Sequence, residues 1–206
     1  MATILHLDTS PRGERSISRS LTKEFMTGWA ASHPDDTVIY RDIGHDVPPP
    51  VSETWIAGAF SPPEKHTPEI AETMRLSDQL IDEFMAADRY VIGVPMYNFS
   101  IPANFKAYID QILRVGRTFV VEDGNYKGLA LNKKMLVLTA RGGAYPPSTP
   151  FASYDMQEPY LRLAFGLIGI TDITFIHTEN LNSGDDARRD AIVKTQTAIK
   201  DAIVSW

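Results

Sequence analysis

Thr3-Ile4-Leu5-His6-Leu7-Asp8, followed at once by Thr9-Ser10-Pro11-Arg12-Gly13-Glu14-Arg15-Ser16-Ile17-Ser18, opens the chain. The first six residues read as a buried strand and the next ten as a hydroxyl-rich turn entering a helix. Beyond the turn, Leu21, Phe25, Met26 and Trp29 recur at helical spacing, predicting a helix over Ser18–Ser32. A strand that feeds directly into an amphipathic helix is the first half of a crossover unit, so the next strand is expected to lie parallel to it. The pattern repeats along the chain, with strands predicted at Ile4–Asp8, Val38–Asp42, Tyr90–Val94, Met135–Ala140 and Ile173–Thr178. Further helices are predicted at Pro68–Ala86, Pro102–Leu113, Tyr154–Phe165 and Asp186–Val204. Ser18 and Asp186 are the expected N-caps, and Pro102 suits a first turn that tolerates a missing N–H.

Strands alternating with helices predict an α/β fold in which a parallel sheet carries helices on both faces, with residues 1–206 forming a single domain. Five parallel strands in the order 2-1-3-4-5 make the flavodoxin-like doubly wound arrangement. Its binding crevice lies at the carboxyl ends of the strands, at the switch point between strands 1 and 3. Function is therefore expected after strands 1, 3 and 4. The prolines Pro48-Pro49-Pro50 and Ser61-Pro62-Pro63 bracket Val51–Phe60, an excursion carrying Trp55 and Phe60.

Composition removes several classes of chemistry. With no cysteine there is no disulfide framework, thiolate catalysis or cysteine-ligated metal. His6, His33, His45, His66 and His177 are scattered without ligand spacing, and no G-x-S-x-G elbow is present, so no metal site and no hydrolase is expected. A net charge of −6 speaks against a nucleic-acid partner. The chain begins without a basic flank or apolar leader and holds no membrane-length apolar run, so a cytoplasmic location without membrane insertion is expected.

Three loops carry the candidate site. Ser10, Ser16, Ile17 and Ser18 combine hydroxyls with the free amides of a helix N-terminus, which suits a single terminal phosphate as well as an ordinary capped turn. Neither G-x-G-x-x-G nor G-x-x-x-x-G-K-[ST] is present to hold a pyrophosphate or triphosphate. Pro95-Met96-Tyr97-Asn98-Phe99-Ser100-Ile101-Pro102 is stiffened by proline at both ends and mixes apolar cover with a few polar groups, as a pocket for a flat heterocycle requires; packing onto a helix is the other explanation. In Ala140-Arg141-Gly142-Gly143-Ala144-Tyr145 the paired glycines permit either a close backbone approach to a carbonyl edge or a plain turn. Three such loops after three adjacent strands describe a ligand with a phosphate at one end and a heterocycle at the other, which is FMN.

These loops, with Lys106-Ala107-Tyr108-Ile109-Asp110, Arg114, Gly116, Thr118-Phe119, Gly128-Leu129, Lys133-Lys134, Tyr160-Leu161 and Gly169-Ile170-Thr171-Asp172, make the chain resemble the FMN-dependent NADH-azoreductase and quinone reductase family almost end to end. The resemblance implies a homodimer with an active site at each end of the interface. It also implies two-electron reduction of quinones and reductive cleavage of aromatic azo compounds by NADH or NADPH, in ping-pong fashion, with the flavin rather than a side chain carrying the chemistry. Ser10, Ser16, Ile17 and Ser18 would hold the phosphate. Pro95, Met96, Tyr97, Asn98, Phe99, Ala140, Arg141, Gly142, Gly143 and Tyr145 would line the rest of the cofactor, and Phe60, Phe119 and Val121 the substrate pocket. Two departures bear on the substrate: Val121 stands where family members often carry tyrosine, and Gly166-Leu167-Ile168-Gly169 replaces a Gly-Phe-Ile-Gly run. The alternative is a flavodoxin-type carrier that passes single electrons between proteins.

Overall fold

A parallel strand covered on both faces has no position to leave polar, and the centre of the sheet follows that rule. The structure is a computed structural model describing residues 1–206. In chain order its elements are β1 (Thr3–Asp8), α1 (Ile17–Ser32), β2 (Thr37–Asp42), α2 (Glu53–Ala59), α3 (Pro68–Ala86), β3 (Arg89–Pro95) and α4 (Ala103–Ile112). They continue with β4 (Phe119–Glu122), β5 (Asn125–Gly128), β6 (Lys134–Ala140), α5 (Glu158–Leu167), β7 (Asp172–Thr178) and α6 (Asp185–Ser205). β1, β3 and β6 are buried almost throughout, whereas β2 and β7 at the edges alternate or lie open.

The main sheet has five parallel strands in the order β2-β1-β3-β6-β7. Counted without the small hairpin β4-β5, that is the predicted 2-1-3-4-5 order of a flavodoxin-like fold. Side chains alternate across each strand and so separate two cores. Leu5, Leu7, Ile92, Val94 and Val137 face α3, α4 and α5, meeting Leu80, Phe84, Phe105, Ile109 and Phe165. Ile4, Val91, Leu136 and Leu138 face α1 and α6, meeting Leu21, Phe25, Trp29 and Ile199. Each such fully buried side chain contributes about 2 kcal/mol from the apolar area it removes from water.

Several boundaries differ from the sequence reading, each for a local reason. Ser16, not Ser18, caps α1, its hydroxyl accepting from the Arg19 amide at 3.3 Å. That leaves Ser18 inside the first turn and buried. Gly184, at φ 103°, precedes α6, so Asp185 and Asp186 lie in its first turn. Pro102 is extended and sits one place before α4. α5 starts at Glu158: Pro150–Tyr154 forms a separate 3-10 turn, and the Asp155 carboxylate accepts from the amides of Gln157 (2.9 Å) and Glu158 (3.1 Å), ending that turn and starting the helix. The Val51–Phe60 excursion contains α2, packed on α3 with Trp55 buried and its indole N–H donating to Gln111 at 2.7 Å. No helix is long and apolar enough to cross a membrane.

Candidate functional site

A cleft of about 230 Å³ opens at the carboxyl ends of β1, β3 and β6, lined by Ser10, Ser16, Ile17, Ser18, Pro95, Met96, Tyr97, Ala140 and Gly142. The three loops singled out in the sequence therefore converge on one depression. At its α1 end the hydroxyls of Ser16 and Ser18 lie 3.2 Å apart, and the amides of Ile17 and Ser18 have no acceptor within the helix. Past Tyr97, at the other end, the loop after β3 turns back on itself beyond the cleft lining. Asn98 (φ 47°) and Phe99 (φ 71°) both adopt left-handed conformation in a two-residue turn closed by reciprocal 3.0 Å hydrogen bonds between Tyr97 and Ser100. For a bulky residue such as Phe99 that conformation costs about 1–2 kcal/mol, a strain of the kind concentrated at ligand clamps. The amides of Asn98, Phe99, Gly142 and Gly143 donate to no acceptor in the chain. A row of unpaired donors beside an apolar wall matches the electron-rich edge of a flat heterocycle, and the hydroxyls and helix amides match a phosphate. The residues present thus fit FMN.

Adjoining the cleft is an open aromatic depression of about 450 Å³, walled by Phe99, Gly143, Ala144, Tyr145, Phe151, Tyr154 and Asn180. Phe99 meets Tyr145 edge-on at 6.2 Å and leans on Tyr154 at 5.3 Å between ring centroids. Arg141 lines neither space. Its guanidinium is buried beneath the loop, bonded to Gln157 at 3.0 Å and paired with Asp155 at 2.9 Å. Phe60 and Phe119 border a separate small apolar hollow with Trp55 and Leu113, and Val121 is half exposed on the hairpin.

Behind the serine loop, a polar cleft of about 490 Å³ between α1 and β2 contains His6, Asp8, Arg19, Tyr40, Asp42 and His45. Its charges are largely satisfied among themselves. Arg19 donates to the Ser10 carbonyl (2.8 Å) and to Asp42 (2.8 Å), tying the serine loop to β2. Burial alone would raise the Asp42 carboxyl, but hydrogen bonds from Arg19 and His45 and their charges outweigh it and hold the group at about 2. A carboxylate depressed from the usual value of about 3.9 stabilises the fold above that pH, and the contribution is lost as pH falls through 2. Urea midpoints measured from pH 6 down to pH 2 are therefore expected to decline below about pH 4, and less steeply in Asp42→Asn. Parallel declines in both proteins would discount this pair.

Residues 2–203 match the family model described as a flavodoxin-like fold. Over its full length, and that of each relative, the chain is 60% identical to FMN-dependent NADH:quinone oxidoreductase 2 of Trichormus variabilis and 59% identical to FMN-dependent NADH:quinone oxidoreductase of Nostoc sp.. The chain belongs to the flavodoxin-like FMN-dependent NADH:quinone oxidoreductase family. A crystal structure of azoreductase from Bacillus anthracis superposes with a TM-score of 0.92 at 29% identity, covering all of both chains.

Within this family setting, the cleft contains residues that the sequence alone did not single out. Leu181 and Asn182, in the β7–α6 connection, and Arg188, near the start of α6, also line it, and Arg12 joins them from the serine loop. The connection is held by the Asn182 amide donating to Gly142 (3.0 Å) and the Leu181 amide donating to Arg141 (3.1 Å). The signal available in the sequence was position: by the topology, the end of β7 lies beside the end of β6.

Proposed function

We propose that the protein is a single-domain, cytoplasmic FMN-dependent oxidoreductase that uses NADH, or NADPH, to reduce quinones by two electrons and to cleave aromatic azo compounds in two such rounds. The observation that carries this reading is the convergence of free helix amides and serine hydroxyls at one end of a cleft with unpaired loop amides and an aromatic depression at the other. The names of the relatives from Trichormus and Nostoc support the donor and the acceptor class. Bound FMN would supply the redox chemistry, taking a hydride from the nicotinamide and passing two electrons to the acceptor.

In this reading Ser10, Ser16, Ile17 and Ser18 bind the phosphate, and Pro95 to Phe99 with Ala140, Gly142 and Gly143 orient the ring. The amides of Asn98, Phe99, Gly142 and Gly143, which have no acceptor in the chain, would donate to the ring, an electrostatic role that needs no proton donor. Arg141 acts from below, by fixing the loop. The aromatic depression around Phe99, Tyr145, Phe151 and Tyr154 accepts flat rings one after another, so donor and acceptor share a place. A homodimer with an active site at each end of its interface belongs to the same reading. Phe60, 80% exposed beside the Trp55–Phe119 hollow, is the kind of apolar group a second copy would cover, and Val121 would lie near the substrate.

The test is steady-state kinetics with NADH and a soluble benzoquinone on the yellow, FMN-loaded protein. Parallel double-reciprocal lines are expected; intersecting lines would remove the shared place. Slow reduction by NADH that speeds up only with a protein reductase would favour an electron carrier instead.

A further inference from the structure

The cleft that carries the serine hydroxyls and free helix amides is also lined by two guanidinium groups, which bring positive charge that hydroxyls and amides lack. Arg188 lines the same cleft as Ser10, Ser16 and Ser18, from the start of α6, and Arg12 joins it from the serine loop. The two neighbouring arginines there are treated differently. Arg189 is engaged by Asp186 on the exposed side of the helix, whereas Arg188 pairs with no carboxylate of the chain. Asp185, in the first turn of the helix, lies outside the cleft lining. A guanidinium close to the start of its own helix, in the cleft that also receives the free amides of α1, lies near two positive helix ends, where a cation is unfavourable unless an anion lies with it. Hydroxyls and amides donate hydrogen bonds but carry no net charge to balance a phosphate dianion; a planar guanidinium does both.

We propose that Arg188 is a specificity-determining residue for the cofactor: it closes on the phosphate from the α6 side and makes the site select FMN over unphosphorylated riboflavin. The assignment rests on the FMN reading of the cleft. It explains why a charged side chain from the last helix lines a pocket otherwise built by the loops after β1, β3, β6 and β7.

Dissociation constants for FMN and riboflavin, measured by flavin fluorescence on the full-length protein stripped of flavin, test it. Arg188→Gln is expected to weaken FMN binding by about tenfold at low salt, the value of one partly exposed charge-assisted hydrogen bond, and to leave riboflavin binding unchanged. The difference from wild type should shrink as salt screens the charge, and Arg188→Lys should recover part of the loss. Arg189→Gln should match wild type. Unchanged FMN affinity in Arg188→Gln, or equal weakening of FMN and riboflavin, would overturn the assignment while leaving the FMN reading intact. A wild-type protein that binds neither flavin would overturn that reading and the assignment with it.

Discussion

Gly44→Ala is expected to destabilise the protein by about 3 kcal/mol or more and to strip it of FMN, because a side chain there has no space that relaxation can create. A Cβ on Gly44 would fall inside contact with the Ser10 carbonyl and the Arg19 guanidinium. Neither can retreat freely. Ser10 O is bonded by Arg19, Arg19 is fixed by Asp42, and the Gly44 amide is itself tied to the Asp8 carbonyl and the Asp42 carboxylate, both at 3.0 Å. Accommodating one methyl group means separating the turn after β2 from the loop after β1, and that loop carries the phosphate site. Urea unfolding and the flavin content of the purified variant measure the two consequences. Gly166→Ala is the internal control: its Cβ would meet nothing within 4 Å and it lies inside α5, so a change between zero and about 1 kcal/mol in the stabilising direction is expected. Wild-type stability and flavin content in Gly44→Ala would mean that the two turns need not touch.

The turn at Gly44 illustrates what the sequence leaves hidden. The strands were legible to within two residues because β1, β3 and β6 are buried on both faces and read as continuous apolar runs, each followed by a helix whose apolar stripe has the right period. The hairpin β4-β5 leaves little trace in the sequence, although Asp123-Gly124, with φ of 51° and 75°, is a turn pair that such hairpins favour. Its strands are four residues long and mostly exposed, with Val120 and Val121 the only β-branched pair, so the alternation that marks a half-buried strand is missing. The start of α5 differs from the sequence reading because Tyr154 continues the helical spacing of the residues after it. What ends the preceding 3-10 turn is the Asp155 side chain, a local polar event that apolar periodicity does not register.

At the site, the cleft-lining groups legible in sequence were those placed by strand ends: Ser10, Ser16, Ile17 and Ser18 after β1, Pro95, Met96 and Tyr97 after β3, Ala140 and Gly142 after β6. Arg188 was not, since more than 170 residues separate it from Ser16 and it is the β6–β7 pairing together with the packing of α6 on α1 that brings α6 alongside. Arg141 belongs to a third kind. Its neighbours in sequence face the cleft, and strand alternation turns its own side chain the other way, toward the start of α5.

That reversal makes Asp155→Ala the second substitution with a large expected effect, a loss of about 3–4 kcal/mol. The Arg141 guanidinium is 1% exposed, and its remaining carboxylate neighbour, Glu179, stands at 3.5 Å. Removing Asp155 leaves a buried cation with one distant counter-ion, and the desolvation cost of such a charge outweighs what packing can return. The same carboxylate accepts from the amides of Gln157 and Glu158, so α5 also loses the acceptor at its first turn. Asp155→Asn separates the two effects. It retains a capping oxygen but not the charge, so it should lose less than alanine, the difference reporting the cap. The damage should extend to function, because Asp155 anchors the segment bearing Phe151 and Tyr154, and the next residue's amide, Met156 N–H, donates to the Phe99 carbonyl at 3.0 Å. With its anchor cut, the aromatic wall is free to shift while the serine loop, on the far side of β3, is untouched. The quinone KM is therefore expected to rise several-fold in the folded Asp155→Asn protein at unchanged FMN affinity, within the 0.5–3 kcal/mol typical of single substitutions. A wild-type KM in that variant, or an alanine variant within 1 kcal/mol of wild type, would show that Arg141 holds neither the fold nor the wall through this carboxylate.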